Sequence, residues 1–435
     1  MEIAIIGAGA CGLAFAEVFR RRGVGTVRVL EAHCAVGGTW SLSRPDSALY
    51  EGLRTNLPKE LMAFSTRQFD TSRPSFIRSA DVESYLLNFA ESNGLMPVIN
   101  LSSPVTHVRP APLDERKWAV SWTHDGKSTT EEFDAVVVAN GHFNKPLVPG
   151  NLENQLPRWN GTWMHSKAYR RPVPFAGQTV LVVGAKSSGA DIARELDGVA
   201  AEVHVADTDC PLDPSCPTPS GPRELQALGD QYYRVPGTRS GKVFWRSALS
   251  ELIPDSNAVR FKAGQTLEVD AIIFCTGYQF EFEFFPEGFI DVRDGKRVRS
   301  VYNELLHPDY TTLFLAGLNQ PIVPFPFFEI QAEWAASMLL HPELLPPSQV
   351  RWAQVEALDS RIEQGQLRNE KAHVLDDQWE YLAQLAEQAQ LPNLEALGQK
   401  FGAHRQLYRY VGGRRSRCPG VPDTYRDDQV SLPEH

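Results

Sequence analysis

The chain has 435 residues and a formal net charge of -10, with 42% apolar and 22% charged residues. That is enough chain for two or three domains with a large core, and the acidic balance argues against a nucleic-acid partner. No apolar run approaches the ~20 residues that span a bilayer, so no membrane anchor is expected. Six scattered cysteines form no Cys-x-x-Cys pair, and Cys210 and Cys216 are expected as exposed thiols. The histidines are dispersed and no His/Cys/Asp spacing recurs, so no metal is expected.

Ile3-Ala-Ile-Ile6 reads as a short strand. Gly7-Ala-Gly9-Ala-Cys11-Gly12 is a turn, the run to Arg22 is an amphipathic helix, and Val27 to Leu30 is a second strand ending in Glu31. In a dinucleotide fold, Gly7 permits the tight turn, Gly9 the approach of a pyrophosphate, and Gly12 the packing of helix on strand. The helix N-terminus faces the phosphates with unpaired N–H groups. Glu31 is placed to accept from an adenosine ribose. The pattern starts at residue 3, so no targeting segment is expected ahead of it.

Gly37-Gly38-Thr39-Trp40 lets backbone pass close to something bulky. A loop then carries Arg54-Thr-Asn56-Leu-Pro-Lys59, with Lys59 expected in solvent, the alternatives being a cofactor or an acidic neighbour. Asp81 is expected to cap a helix running to Asn93. Strands are expected at Pro97 to Leu101 and Val105 to Val108. A hairpin is expected across Asp125-Gly126, and a buried strand over Asp134 to Gly141. Proline-punctuated 146 to 157 reads as a linker. The opening pattern then returns: strand Thr179 to Val183, turn Gly184-Ala-Lys186-Ser187-Ser188-Gly189, helix Ala190 to Leu196, strand Glu202 to Ala206. Here Lys186 replaces the middle glycine and is expected to reach a cofactor phosphate, the alternative being solvent. Asp207 would accept from a free ribose 2′-hydroxyl and repel a 2′-phosphate. Arginines 223, 234 and 239 in the long 207 to 241 loop could still meet that phosphate. Val269 to Tyr278 echoes Phe133 to Gly141: it either closes the second unit or carries the chain back to the first sheet. Leu313 to Gln320 reads as strand and glycine, Pro321 to Phe328 as a turn, and Glu329 to Leu340 as a helix. Two amphipathic helices and a basic, turn-rich tail from Gly412 follow.

Taken together these residues resemble the flavin-containing monooxygenases, from residue 3 to about 340. The match is carried by the first turn with Glu31, by Gly37-Gly38-Thr39-Trp40, and by Leu53 to Met62. It continues with Trp159-x-Gly161-x-x-x-His165-x-x-x-Tyr169, where the family has Phe first, then Ser188-Gly189-Ala-Asp191-Ile, Cys275-Thr276-Gly277-Tyr278 and Glu329-x-Gln331. The resemblance implies an α/β chain with two Rossmann-like domains. A nicotinamide-binding domain (159–265) would be inserted in a discontinuous FAD-binding domain (1–158 and 266–435). It implies that NADPH, with NADH accepted, reduces FAD, and that O2 then forms a C4a-hydroperoxyflavin. The distal oxygen passes to a soft nucleophile, giving an amine N-oxide or a sulfoxide. Baeyer–Villiger oxidation and N-hydroxylation are the alternatives on the same scaffold. Asn56 is the implied catalytic residue beside the flavin. Gly38, Thr39, Trp40, Thr276, Gly277 and Gln320 are implied flavin neighbours. Gly184, Lys186, Ser187, Ser188, Gly189, Asp207 and Arg239 are the expected nicotinamide contacts. His165 and Tyr169 would share a helical face at the domain joint, and Phe325, Phe327 and Phe328 could wall the pocket. A cytoplasmic enzyme, as a homodimer, acting on a small amine or sulfide, completes the expectation.

Overall fold

Two parallel sheets, each feeding one of the glycine turns, organise the chain in the computed structural model, which describes residues 1–210, 226–227, 232–235, 238–414 and 424–432. The first sheet runs in the order Leu313–Leu315, Ala135–Val138, Glu2–Ile6, Thr26–Leu30, Ile99–Asn100, every pair parallel. Its central strands are apolar almost throughout because both faces are covered. On one face lies the helix Ala10–Arg21, and the helix Pro324–Leu340 packs across it, Glu333 taking Arg21 and Arg22 at 2.6 Å each. The other face is covered by the antiparallel strands Val105–Pro110, Trp118–His124 and Lys127–Phe133. The expected hairpin turns at Asp125 and Gly126, whose φ values of 48° and 75° suit a two-residue type I′ turn.

The second sheet has a parallel core in the order Val243–Arg246, Glu202–Ala206, Thr179–Val183, Ala271–Phe274, Thr162–His165. Antiparallel Tyr233–Arg234 and Gln226–Ala227 extend one edge. The strand Ala271–Phe274 settles the choice left open by its echo of the first sheet: it closes the second unit. Its four apolar residues are fully buried between two parallel neighbours. The boundary expected at 265/266 therefore cuts through this sheet. The chain changes sheets at Lys145–Pro146 and Tyr278–Gln279, which pair antiparallel as two adjacent crossings. Leu152, Leu156 and Trp159 also pack into the second core, so the expected linker belongs largely to that unit.

Local corrections have local causes. Asp81 is the third residue of the helix Ser79–Ser92, not its cap, and its carboxylate accepts the Arg78 N–H at 3.3 Å. His165 and Tyr169 flank a single 3-10 turn, Ser166–Ala168, and do not share a helical face. The helix expected from Glu329 begins at Pro324, because proline suits a first helical turn. Cys210 is buried, and Cys216 lies outside the described residues. The tail is helical through Arg414 and returns as a short turn, Thr424–Asp427, seated on the body.

Candidate active site

The first turn is a cradle built by close approach. Gly7 donates its N–H to the Leu30 carbonyl at 2.8 Å, and a Cβ on Gly12 would lie 1.9 Å from the Gly7 oxygen. Glu31, buried at the end of its strand, accepts the Ala8 N–H at 2.7 Å through Oε2 and the His33 N–H at 2.9 Å through Oε1. Each oxygen keeps acceptor capacity for a ribose hydroxyl. Gly38, Thr39 and Trp40 form a short 3-10 turn laid directly on the cradle: a Cβ on Gly38 would come within 2.8 Å of the Gly9 Cα. No side chain caps the helix Ala10–Arg21, which leaves its first N–H groups for phosphate. These features fit an adenine dinucleotide such as FAD.

The second turn repeats the first atom for atom at its joints. Gly184 donates to Ala206 O at 2.8 Å, and a Cβ on Gly189 would lie 1.8 Å from the Gly184 oxygen. Asp207 accepts the Ala185 N–H as Glu31 accepts that of Ala8. Burial, helped by Asp209, pushes the Asp207 carboxyl up to about 6 against the pull of three backbone N–H groups. Lys186 stands at φ -71°, ψ -167°, close to the -75°, -179° of Gly9, so the backbone does not demand glycine. Lys186, Ser187 and Ser188 are exposed at the start of the helix Ser187–Leu196. Lys371 is held below the usual lysine range, first by Lys186 and then by burial and Arg368, so a second ammonium faces the same turn.

Arg239 does not belong there. Its N–H is held by Asp197, which ends the helix Ser187–Leu196. At ~1.5 Å per residue the ten-residue helix puts that anchor about 15 Å from the turn. Arg223 lies outside the described residues, and Arg234 stacks on Phe244. Arg246 meets Asp207 through its backbone, its carbonyl taking the Asp207 N–H at 3.1 Å, while its buried guanidinium donates to His204 at 3.0 Å and lies 4.2 Å over Tyr232.

The loop between the cradles bridges the two units. Asp46 meets Lys167 at 3.3 Å, Glu51 N donates to Arg170 O at 2.9 Å, and Tyr50 Oη donates to Asp191 at 2.9 Å. Thr55 N then returns to Ile77 O at 2.8 Å on the first unit. Asn56 follows, half-buried, its amide bonded to no described residue. Lys59, expected in solvent, is buried with Nζ on Glu60 and the Arg73 carbonyl. His142 binds the Gly317 carbonyl through Nδ1 at 2.9 Å, and its Nε2 is buried with no partner among the described residues. Burial lowers this imidazole to about 4.

Other expected neighbours are placed differently. The Thr276 hydroxyl donates to the Leu147 carbonyl, and the Gly277 carbonyl accepts both Leu147 N and His165 Nε2; both residues build the crossing between units. Gln320 is exposed, its N–H on the His373 carbonyl at 3.2 Å. Phe325 stacks among Phe64, Phe69 and Tyr85, and Phe327 stacks on Tyr381, so both are core; Phe328 alone, beside Gly317, is half-buried. Trp159 covers Gly161, where a Cβ would meet the indole at 2.2 Å. No cluster of three or more metal-ligating side chains occurs among the described residues, and no helix among them is long and apolar enough to cross a membrane.

The whole chain has relatives. A family model described as flavin-binding monooxygenase-like matches residues 1–211 and 235–398. The Arabidopsis thaliana protein called flavin-containing monooxygenase FMO GS-OX-like 4 is 32% identical over 458 residues, covering 98% of this chain and 94% of the relative. The structure of S-allyl-L-cysteine S-oxygenase from Allium sativum is 30% identical, with a TM-score of 0.82 over 99% of this chain and 95% of that one. Tmm from a Pelagibacter strain, at 22% identity and a TM-score of 0.73 over 97% of this chain and 94% of its own, shares the fold. The chain belongs to the flavin-binding monooxygenase family, enzymes that work with FAD, a reduced nicotinamide cofactor and O2.

Proposed function

We propose that this enzyme oxygenates the sulfur of small thioethers, with FAD on the Gly7-Gly9-Gly12 cradle and NADPH on the Gly184-Gly189 turn. What carries the reading is the likeness, across 99% of the chain, to an S-oxygenase at 30% identity. Bound FAD, once reduced, supplies the oxygen activation, and the protein supplies placement and shielding.

The chain's own residues have distinct tasks in this reading. Glu31 holds the adenosine ribose, and the uncapped helix start holds the pyrophosphate. Gly38, Thr39 and Trp40 close over that cradle. Asn56 offers an uncommitted amide that can donate and accept at once, beside the bridging loop between the units. His142, with its proton on Nδ1 toward Gly317, presents a neutral Nε2 acceptor and stays neutral above about pH 4. Lys186 and Lys371 offer positive charge to the nicotinamide cofactor's phosphates, while Ser187, Ser188 and Gly189 offer the helix start. Asp207 accepts from the ribose and weakens the preference for a 2′-phosphate. Cys11, Cys34 and Cys275 are free thiols among the described residues, and a cytoplasmic location belongs to the same reading. A homodimer also belongs to the reading, and light scattering after gel filtration tests it.

The experiment is product analysis of the FAD-loaded enzyme with NADPH and O2, offered S-allyl-L-cysteine, trimethylamine or cyclohexanone separately. Sulfoxide formed mole for mole with NADPH oxidised supports the reading. N-oxide or lactone as the main product, with the sulfide untouched, overturns it.

A further inference from the structure

A buried guanidinium from the segment 424–432 reaches into the helix that carries the second turn. Arg426 is 6% exposed, and one of its terminal nitrogens lies 3.0 and 3.1 Å from the two oxygens of Asp191. Asp191, itself 7% exposed, also takes Tyr50 Oη at 2.9 Å and Arg194 at 2.8 Å. Burial alone would raise the Asp191 carboxyl, but Arg426 and Arg194 hold it below the usual carboxylate range. The same short segment grips the first unit. Arg54 donates to the Arg426 carbonyl and, at 2.8 Å, to the Asp427 carboxylate. Tyr425 sets its ring edge-on to Phe76 at 5.2 Å, and Val430 N donates to Ser75 Oγ at 2.9 Å.

The nicotinamide-side helix through Asp191, the bridging loop through Tyr50, and the segment itself thus meet at one ion pair, while Arg54, two residues before Asn56, holds the backbone of Arg426 and the carboxylate of Asp427. A loosely packed tail needs no such pair. Burying two charges gains little net stability, but breaking one partner away is costly, so the geometry is sharply enforced.

We propose that the segment 424–432 is a clasp and Arg426 a positioning residue, fixing the second-turn helix against the loop that carries Asn56. The distance between the two cradles, and the placement of Asn56 between them, would then be set by a residue far from both in sequence. Arg426 touches neither cofactor in this account; it acts through Asp191 and Tyr50. The inference rests on the two-cradle architecture and is independent of which nucleophile is oxygenated.

The test uses FAD-loaded Arg426→Met, read by amide hydrogen exchange and by NADP+ binding. Arg426→Lys, which keeps the charge and loses the fork, is read the same way, so that a poorly folding Met variant leaves the question answerable. We expect exchange to quicken together in 50–56 and 187–194, and NADP+ affinity to fall about tenfold, the order of one lost charge-assisted hydrogen bond. Flavin content should not change. Faster exchange confined to 424–432, with NADP+ affinity unchanged, would show an independently packed tail and overturn the clasp.

Discussion

The two glycine turns share their joints and differ in what lies on top of them. In both, the first glycine donates to the neighbouring strand, the last glycine abuts the carbonyl of the first, and an acid 23 or 24 residues on takes the N–H of the intervening alanine. At the middle position the first turn has Gly9 and the second has Lys186, in nearly the same backbone conformation. What separates them is the loop at 37 to 40. It presses Gly38 on Gly9 in the first turn, whereas Lys186 stands exposed. The close approach therefore requires glycine at 38, where φ is 56°, whereas a Cβ on Gly9 would stand in ordinary contact, 3.4 Å from the Gly38 Cα. The second site, left open, has room for a charge. One turn is overlain by a loop, and the other is open and cationic.

The sharpest way to break this comparison is to fill the shared joint in each turn. Gly12→Ala should yield colourless protein without flavin, and Gly189→Ala should yield yellow protein that NADPH reduces poorly. Each new methyl meets backbone at under 2 Å, so the cost should exceed the ~1–3 kcal/mol of ordinary overpacking. Flavin absorbance per protein and the KM for NADPH separate the two outcomes; equal flavin loss in both variants would sink the assignment of the turns.

Next in size is Lys186→Ala. Removing one charge facing a phosphate should raise the KM for NADPH about tenfold with kcat and flavin content unchanged. An unchanged KM would return Lys186 to solvent.

A smaller effect concerns pH. Asp207 is ionised above about 6 and neutral below. Its repulsion of a 2′-phosphate should therefore be present at pH 8 and lost as pH falls through 6, raising the NADPH-over-NADH preference a few-fold. Asp207→Asn should flatten that dependence. Steady-state kinetics with both cofactors from pH 5.5 to 8.5 would reveal it.

Smallest is Trp159→Phe, which restores the family's usual residue. It forfeits the Nε1 bond to Ala258 O at 3.2 Å, about 1 kcal/mol, and should lower Tm by about 1 °C with kinetics untouched.

Short-range pattern made much of this legible. Glycine spacing, apolar strands and terminal acids are local constraints, so the two glycine turns and the hairpin turn could be read from residue order. The same locality explains the errors. Strand 271–274 looks alike in either sheet until its partners are known. Phe325 and Phe327 read equally as pocket wall or core until the helix they belong to is packed.

The sequence by itself therefore determined the fold class and the two glycine turns, because those depend on backbone geometry within some thirty residues, and the family, because its motifs recur in order from residue 3 to about 340. Only the tertiary structure decided which groups meet across the units. Lys371 facing Lys186, Tyr50 and Arg426 on Asp191, and Arg54 on the returning segment join residues up to 373 positions apart. Such contacts carry no periodicity, and each is fixed by how two finished domains pack.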